Sequence, residues 1–176
     1  VSKVIQNNKD QFQAGLTALS KLTGGSVYLS SQKPMEFDNV TNVTIEGPHP
    51  AGNVGIQIHH IKPINPGEVI WTVNAQHVIT IGKLFQNGQY DPGCVVSIGG
   101  SGSSNPQTVR ALTGSSIGSL LKDQLLNGSQ RIISGDVLTG KRVSSDDYLG
   151  FYDSSVAIIN DDVKSCLLYT SDAADE

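Results

Sequence analysis

Cysteine is almost missing: among the 176 residues there are only Cys94 and Cys166. Two isolated thiols build neither a disulfide framework nor the CxxC pairs of zinc and iron-sulfur sites, and a reducing, cytoplasmic setting is the natural inference. Charge is sparse, at 16% of residues with a formal net charge of -4, and Lys and Arg are scattered singly. That removes the basic footprint a nucleic-acid or anionic-membrane binder needs, so nucleic acid is not expected as a partner. Long apolar runs are lacking too. None approaches the ~20 residues that cross a bilayer, and no basic segment leading into an apolar stretch marks a secretory signal, so no direct membrane span is expected. Internal repeats at solenoid periods and low-complexity tracts, beyond one short Gly/Ser turn, are likewise absent.

What remains is 38% apolar, enough to bury one good core or two small ones. The chain opens at Val1 without Met, and an apolar-periodic segment begins within a few residues, so it reads as an internal fragment of something longer. At the other end, Ser165 to Glu176 resembles translated sequencing-adapter read-through. Residues 163–176 are therefore set aside as a non-native tail.

From Lys3 to Leu22, the residues Val4, Ile5, Phe12, Leu16, Leu19 and Leu22 fall at helical spacing, and Gly24-Gly25 follows as a stop suited to a left-handed residue. Ser26 to Ser30 and Asn42 to Ile45 predict strands around a Pro34 loop. Helix followed by strands is α/β grammar. Gly47 to Gly55 is a loop shaped by glycine and proline, and the alternation of Ile56, Ile58 and His60 against Gln57 and His59 predicts a strand edge. Val69 to Val73 predicts another strand. Asn74 then caps a helix carrying Val78, Ile79, Ile81, Gly82 and Phe85, which Gly88 ends. The first unit closes near Asp91-Pro92.

In the second unit, Val95 to Ile98 and Thr108 to Leu112 predict a hairpin around the Gly/Ser turn from Gly99 to Asn105. Ser115 or Ser116 caps a helix with Ile117, Leu120, Leu121 and Leu125 on one side, stopped by Asn127-Gly128. Further strands are predicted from Arg131, over Tyr148 to Tyr152, and over Val156 to Ile159. Strand, strand, helix, strand, strand is the order of a small β-grasp, or ubiquitin-like, domain.

Self-contained chemistry is hard to find. The Gly99 to Ser104 run lies between two strands and lacks a GK[ST] ending, so it reads as a hairpin turn, not a phosphate cradle. The histidines His49, His59, His60 and His77 form no HxH or HxxxH pair, and the adjacent His59 and His60 would face opposite sides of a strand, which argues for structural or pocket-lining roles over metal. Cys94 follows a Pro-Gly turn with no flanking base, and no GxSxG elbow occurs. No catalytic residue is assigned.

Several ordered motifs carry a resemblance. The run from Gly47-Pro48-His49-Pro50-Ala51-Gly52-Asn53 through Ile61 is continued by Glu68 to Gln76 and Ile81 to Phe85, with Phe12 to Thr23 upstream. Downstream stand Asn105-Pro106, Arg131-Ile132-Ile133-Ser134-Gly135-Asp136-Val137-Leu138-Thr139-Gly140 and Tyr148-Leu149-Gly150. Together they resemble the NqrA family, a component of the sodium-translocating NADH:quinone reductase, from Val1 to about Asp161. The variant with Ile58-His59-His60 and Leu149-Gly150-Phe151-Tyr152 resembles the Bacteroidetes-type form.

The resemblance implies residues 1–91 as the end of a Rossmann-like domain and 92–162 as a soluble-ligand-binding β-grasp domain. It implies a peripheral component on the cytoplasmic face of the bacterial inner membrane. The other five subunits of the sodium pump and quinone would be its partners, in a complex using NADH, flavins, an iron-sulfur cluster and ubiquinone, with no cofactor expected to be bound by this fragment itself. For quinone contact the shaped loop and its continuation, His49, Gly52, His59 and His60, are the candidates; the same residues could equally hold the two domains together. A related architecture, the RnfC family of the ferredoxin-oxidising Rnf complex, carries iron-sulfur motifs that do not occur here. A stand-alone soluble-ligand-binding protein and a self-sufficient oxidoreductase complete the alternatives.

Overall fold

The first apolar-periodic stretch forms two helices where one is expected: α1 over Ser2–Gln6 and α2 over Lys9–Leu22. The break falls at Asn7-Asn8, where the Asn8 side chain donates to the Val4 carbonyl at 2.9 Å and so competes with the helical ladder. The computed structural model describes residues 2–122, 124–125 and 128–161 and divides into two units, Val1–Pro92 and Gly93–Glu176. The stretch set aside as a tail lies outside the described residues.

In the first unit α2 packs against α4, Ala75–Asn87. Their core is Phe12, Leu16, Val78 and Ile79, joined by Ile5 of α1. The two helices touch through backbone, since a Cβ added at Gly82 would lie 1.7 Å from the Gln11 carbonyl oxygen and one at Gly15 would lie 2.1 Å from that of Val78. The α4 boundaries follow the sequence: Asn74 accepts the His77 amide at 3.0 Å, and Gly88 closes the helix at φ 70°. At the end of α2 the stop differs from expectation, because extended Thr23 caps it and neither Gly24 nor Gly25 adopts positive φ.

Two short strands, β1 (Tyr28–Ser31) and β2 (Thr41–Thr44), pair in parallel. Gln13 of α2 ties down the loop between them by donating to the Asp38 carbonyl and accepting the Asp38 amide. Two expectations fail here. Val54–Ile61 is a helix, α3, and not a strand edge. A short apolar run such as this satisfies both periods, with Val54, Ile58 and Ile61 at helical spacing and Ile56 and Ile58 at alternate positions, so its pattern alone does not separate helix from strand. Val69 to Val73 belongs to no strand: with no neighbour to accept its ladder, β-rich sequence stays unpaired, and Trp71 is 82% exposed.

The second unit is a five-stranded sheet in the order β4-β3-β7-β5-β6, built from β3 (Gly93–Gly99), β4 (Gln107–Leu112), β5 (Gln130–Ser134), β6 (Lys141–Val143) and β7 (Ser155–Asn160). β3 and β7 at its centre are parallel and the other pairs antiparallel. One face carries Val96, Ile98, Val156 and Ile158, buried beneath Ile117, Leu121 and Leu149. This is a β-grasp arrangement, so the expected fold class, α/β followed by α+β, holds. Of the expected helix from Ser115 to Asn127, the described residues form α5 over Ile117–Leu120, and its end at Asn127 lies outside them. Tyr148 to Tyr152 makes turns and one bridge from Tyr148 to Ser116 in place of a strand, while β6 was not anticipated. The Asp153 amide closes this turn by donating to the Gly150 carbonyl at 3.0 Å, and the Asp153 carboxylate lies where a Cβ at Gly150 would project.

Candidate functional site

In open α/β sheets ligands meet the loops beyond the carboxyl ends of parallel strands. In the first unit that place belongs to the segment after β2. Gly47 turns the chain at φ 138°, a conformation that favours glycine, and the His49-Pro50 bond is cis. The Ala51 amide then donates to the Pro48 carbonyl at 3.0 Å and the Asn53 amide to that of Pro50 at 2.8 Å, winding the loop into the start of α3.

Gln57 organises the site. From the first turns of α3 its amide donates to the carbonyls of Ala51 at 3.1 Å and Gly52 at 3.2 Å, while its oxygen accepts the Ser30 hydroxyl of β1 at 2.7 Å. One side chain thus fixes the loop to both the helix and the sheet. Nothing in the spacing of the sequence singles out Gln57 for this work.

The four candidate residues are not gathered into one pocket. His49 and Gly52 sit in the exposed loop at the start of α3, whereas His59 and His60 lie in its last turn. From Val54, the first residue of α3, to His59 is five residues, roughly 7.5 Å at ~1.5 Å of rise per residue, and Gly52 lies two residues further back in the loop. Being consecutive on a helix, His59 and His60 point about 100° apart, not to opposite faces, and their rings meet edge-on with centroids 5.4 Å apart. Between the two ends α3 exposes Val54 and Ile56, and the segment beyond it exposes Ile64, Val69, Trp71 and Val73. A shallow hollow lined by Ser20, Ser26, Asn39 and Thr41 lies instead at the amino-terminal ends of β1 and β2, the less promising end of a parallel sheet for a ligand.

Other reactive groups lead nowhere further. Burial pushes the Cys94 thiol above its ordinary range, only partly offset by a hydrogen bond with Thr113, so it is a poor nucleophile. Among the described residues no three His, Cys, Asp or Glu side chains gather as metal ligands. Within the same residues no helix is long and apolar enough to cross a membrane.

Fold and loop define an α/β unit with an open strand-end site, followed by a β-grasp unit. Two domain families match these units in turn: the NqrA second alpha/beta domain over residues 1–90 and the NQRA C-terminal domain, of SLBB type, over residues 95–145. The NqrA component of the Na(+)-translocating NADH-quinone reductase of Pasteurella multocida is 37% identical over 164 residues, covering 90% of this chain and 37% of that protein. Its namesakes from Vibrio alginolyticus and Neisseria meningitidis are 38% and 34% identical, again over 90% of this chain and 36% and 37% of their own lengths. The chain belongs to the NqrA family, and it spans little more than a third of the curated relatives it matches.

Proposed function

We propose that this chain serves as part of the peripheral NqrA component of a sodium-translocating NADH:quinone reductase, on the cytoplasmic face of the bacterial inner membrane. The observation that carries the reading is the match to two domains of one polypeptide, in order, over 90% of the chain. On this reading residues 1–91 complete a Rossmann-like domain, 92–162 form the soluble-ligand-binding β-grasp domain, and 163–176 are not native. NADH oxidation, flavins and sodium passage belong mainly to the other subunits, and this chain contributes to assembly and to binding quinone.

For quinone the proposed contacts are His49, Gly52, His59 and His60. What supports them is the position of the loop beyond the carboxyl ends of the parallel strands and the rigidity that Gln57 gives it. Exposed Val54 and Ile56 between the two ends suit an elongated, partly apolar ligand laid along α3.

The test is to tag the polypeptide in its own cells, extract the membranes in mild detergent, identify what co-purifies and assay sodium-stimulated NADH:quinone activity. Recovery of the other pump subunits with that activity supports the reading; recovery of the chain alone from the soluble fraction overturns it. In the assembled complex, joint replacement His49→Ala and His60→Ala is expected to raise the KM for quinone by about tenfold, the loss of one or two good polar contacts. An unchanged KM removes this segment from the quinone site.

A further inference from the structure

We propose that the open face of the five-stranded sheet, where Arg110, Arg131 and Arg142 surround an apolar strip, docks an acidic surface of another protein of the complex. The partner being a pump subunit rests on the function proposed above.

Strand register defines the face. Directly paired residues of antiparallel strands share a side of the sheet. Arg110 pairs with Val95, Arg131 with Ile159, Ile133 with both Ala157 and Arg142. These residues all lie opposite Val96, Ile98, Val156 and Ile158, the side that α5 covers. Among the described residues no helix of the unit is placed over the arginine side. On this face Val95, Ala157 and Ile159 are half-buried, Ile133 is buried against the Gly140 turn, Leu112 at the β3-β4 edge is 59% exposed, and Thr108 and Ser97 are exposed.

The charge on this face runs against the rest of the chain. Formal net charge is -4, yet all the arginines in the sequence stand here, and no Asp or Glu occurs among the strand residues that share the face. One carboxylate reaches them from the end of β7: Asp161 meets Arg131 at 2.6 Å and, less closely, Arg142 at 3.6 Å. That leaves unspent donors. Arg131 gives Asp161 one terminal nitrogen and keeps its Nε buried, whereas the Arg142 side chain, 67% exposed, has its guanidinium largely open to a partner. Arg110, on edge strand β4, makes no ion pair among the described residues. From β4 to β6 is four strand spacings, or roughly 19 Å at ~4.8 Å each. Guanidinium groups at the two margins of an apolar strip are the complement of a protein surface with carboxylates around an apolar centre, and arginine's planar fork suits carboxylates in particular. With so few cations an extended polyanion such as nucleic acid is a poorer match.

The experiment uses the whole polypeptide in its own membranes. A photo-crosslinking amino acid replaces Leu112, and the crosslinked peptide is identified by mass spectrometry; a carboxylate-rich segment of another pump subunit is expected. In parallel, Arg110→Glu with Arg142→Glu is compared with Lys122→Glu, an equal charge change per site at an exposed position outside the strands. The double variant should recover about tenfold less of the crosslinked partner, with wild-type recovery weakening as salt rises and Lys122→Glu behaving as wild type. Equal recovery by all three, or a crosslink to lipid, nucleic acid or a segment without carboxylates, overturns the docking face while leaving the proposed function standing. If the wild type recovers no pump subunit, the proposed function itself falls, and this inference with it. Amide exchange in β3 and β7 checks folding, and where the double variant is unfolded the Leu112 crosslink decides alone.

Discussion

The two units reach stability by different routes. In the first, two helices in backbone contact make the core, and the parallel pair β1-β2 is a thin layer beside them; a two-stranded parallel sheet is not stable without cover. In the second, the sheet itself is the core: Val96 and Ile158 are wholly buried on one face and, among the described residues, Ile117 of the four-residue helix α5 closes over them together with Leu121 and Leu149. A unit held by a helix pair can carry a long surface segment such as 45–74 at little cost, and that is where its candidate site lies. The sheet unit has its chain tied strand by strand and offers a face instead of a loop.

The largest expected effects test whether these are separate cores. Phe12→Ala removes the aromatic that sits between α2, α4 and the edge-on ring of Phe37, and Ile158→Ala empties the centre of the sheet. Each should destabilise its own unit by about 3–5 kcal/mol. Hydrogen exchange resolved by segment should then show α2 and α4 losing protection in the first variant and β3 and β7 in the second. Loss of protection in both units from either change would erase the contrast.

Next comes the close helix contact. Gly82→Ala puts a methyl carbon where the Gln11 carbonyl oxygen already is, so α4 must move away from α2 at a cost of about 1–3 kcal/mol or more. Gly88→Ala in the same unit meets open space and is opposed only by its positive φ, about 1 kcal/mol. Melting midpoints should rank wild type, Gly88→Ala, Gly82→Ala from highest to lowest. An equal loss in the two variants would mean that the helices do not touch as described.

The same division governs how much could be read from sequence. Helix α4 was legible at both ends because Asn74 and Gly88 act through their own backbone neighbourhood, and β3, β4, β5 and β7 because each repeats an apolar residue at the period of a buried strand. Illegible were the segments whose state is set by a partner. Val69 to Val73 has strand composition but no strand to pair with, and Val54–Ile61 fits two periods at once. β6 is three residues long and exists because β5 lies beside it. The candidate site suffered most: its loop could be located from glycine and proline, but the Gln57 bonds that fix it, and the separation of His49 from His60 along α3, depend on a helix the pattern did not reveal.

The smallest effects concern two turns, one in each unit, held by a carboxylate. In the second unit Asp136 is drawn below the usual carboxylate range first by the Thr139 hydroxyl and then by the amides of Thr139 and Leu138. In the first, Glu68 is lowered mainly by the Asn65 backbone amide and secondarily by the Asn65 side chain. A depressed folded pKa contributes stability that is complete above the unfolded value, about 4 for either carboxyl, and is lost as pH falls through the folded one. Both turns should therefore loosen only in acid, below about pH 4, and both carboxylates are too exposed for the loss to matter globally. The unlike order of causes separates them. Thr139→Val removes the leading support of Asp136 and should move its titration midpoint back toward the ordinary range, while the amides of Thr139 and Leu138 still hold it below. Asn65→Ala leaves the leading support of Glu68 in place and should move its midpoint less. Carboxyl carbon chemical shifts followed by NMR from pH 2 to 7 would measure both; a larger shift for Glu68 would mean that side chains, not backbone, hold the first unit's turn.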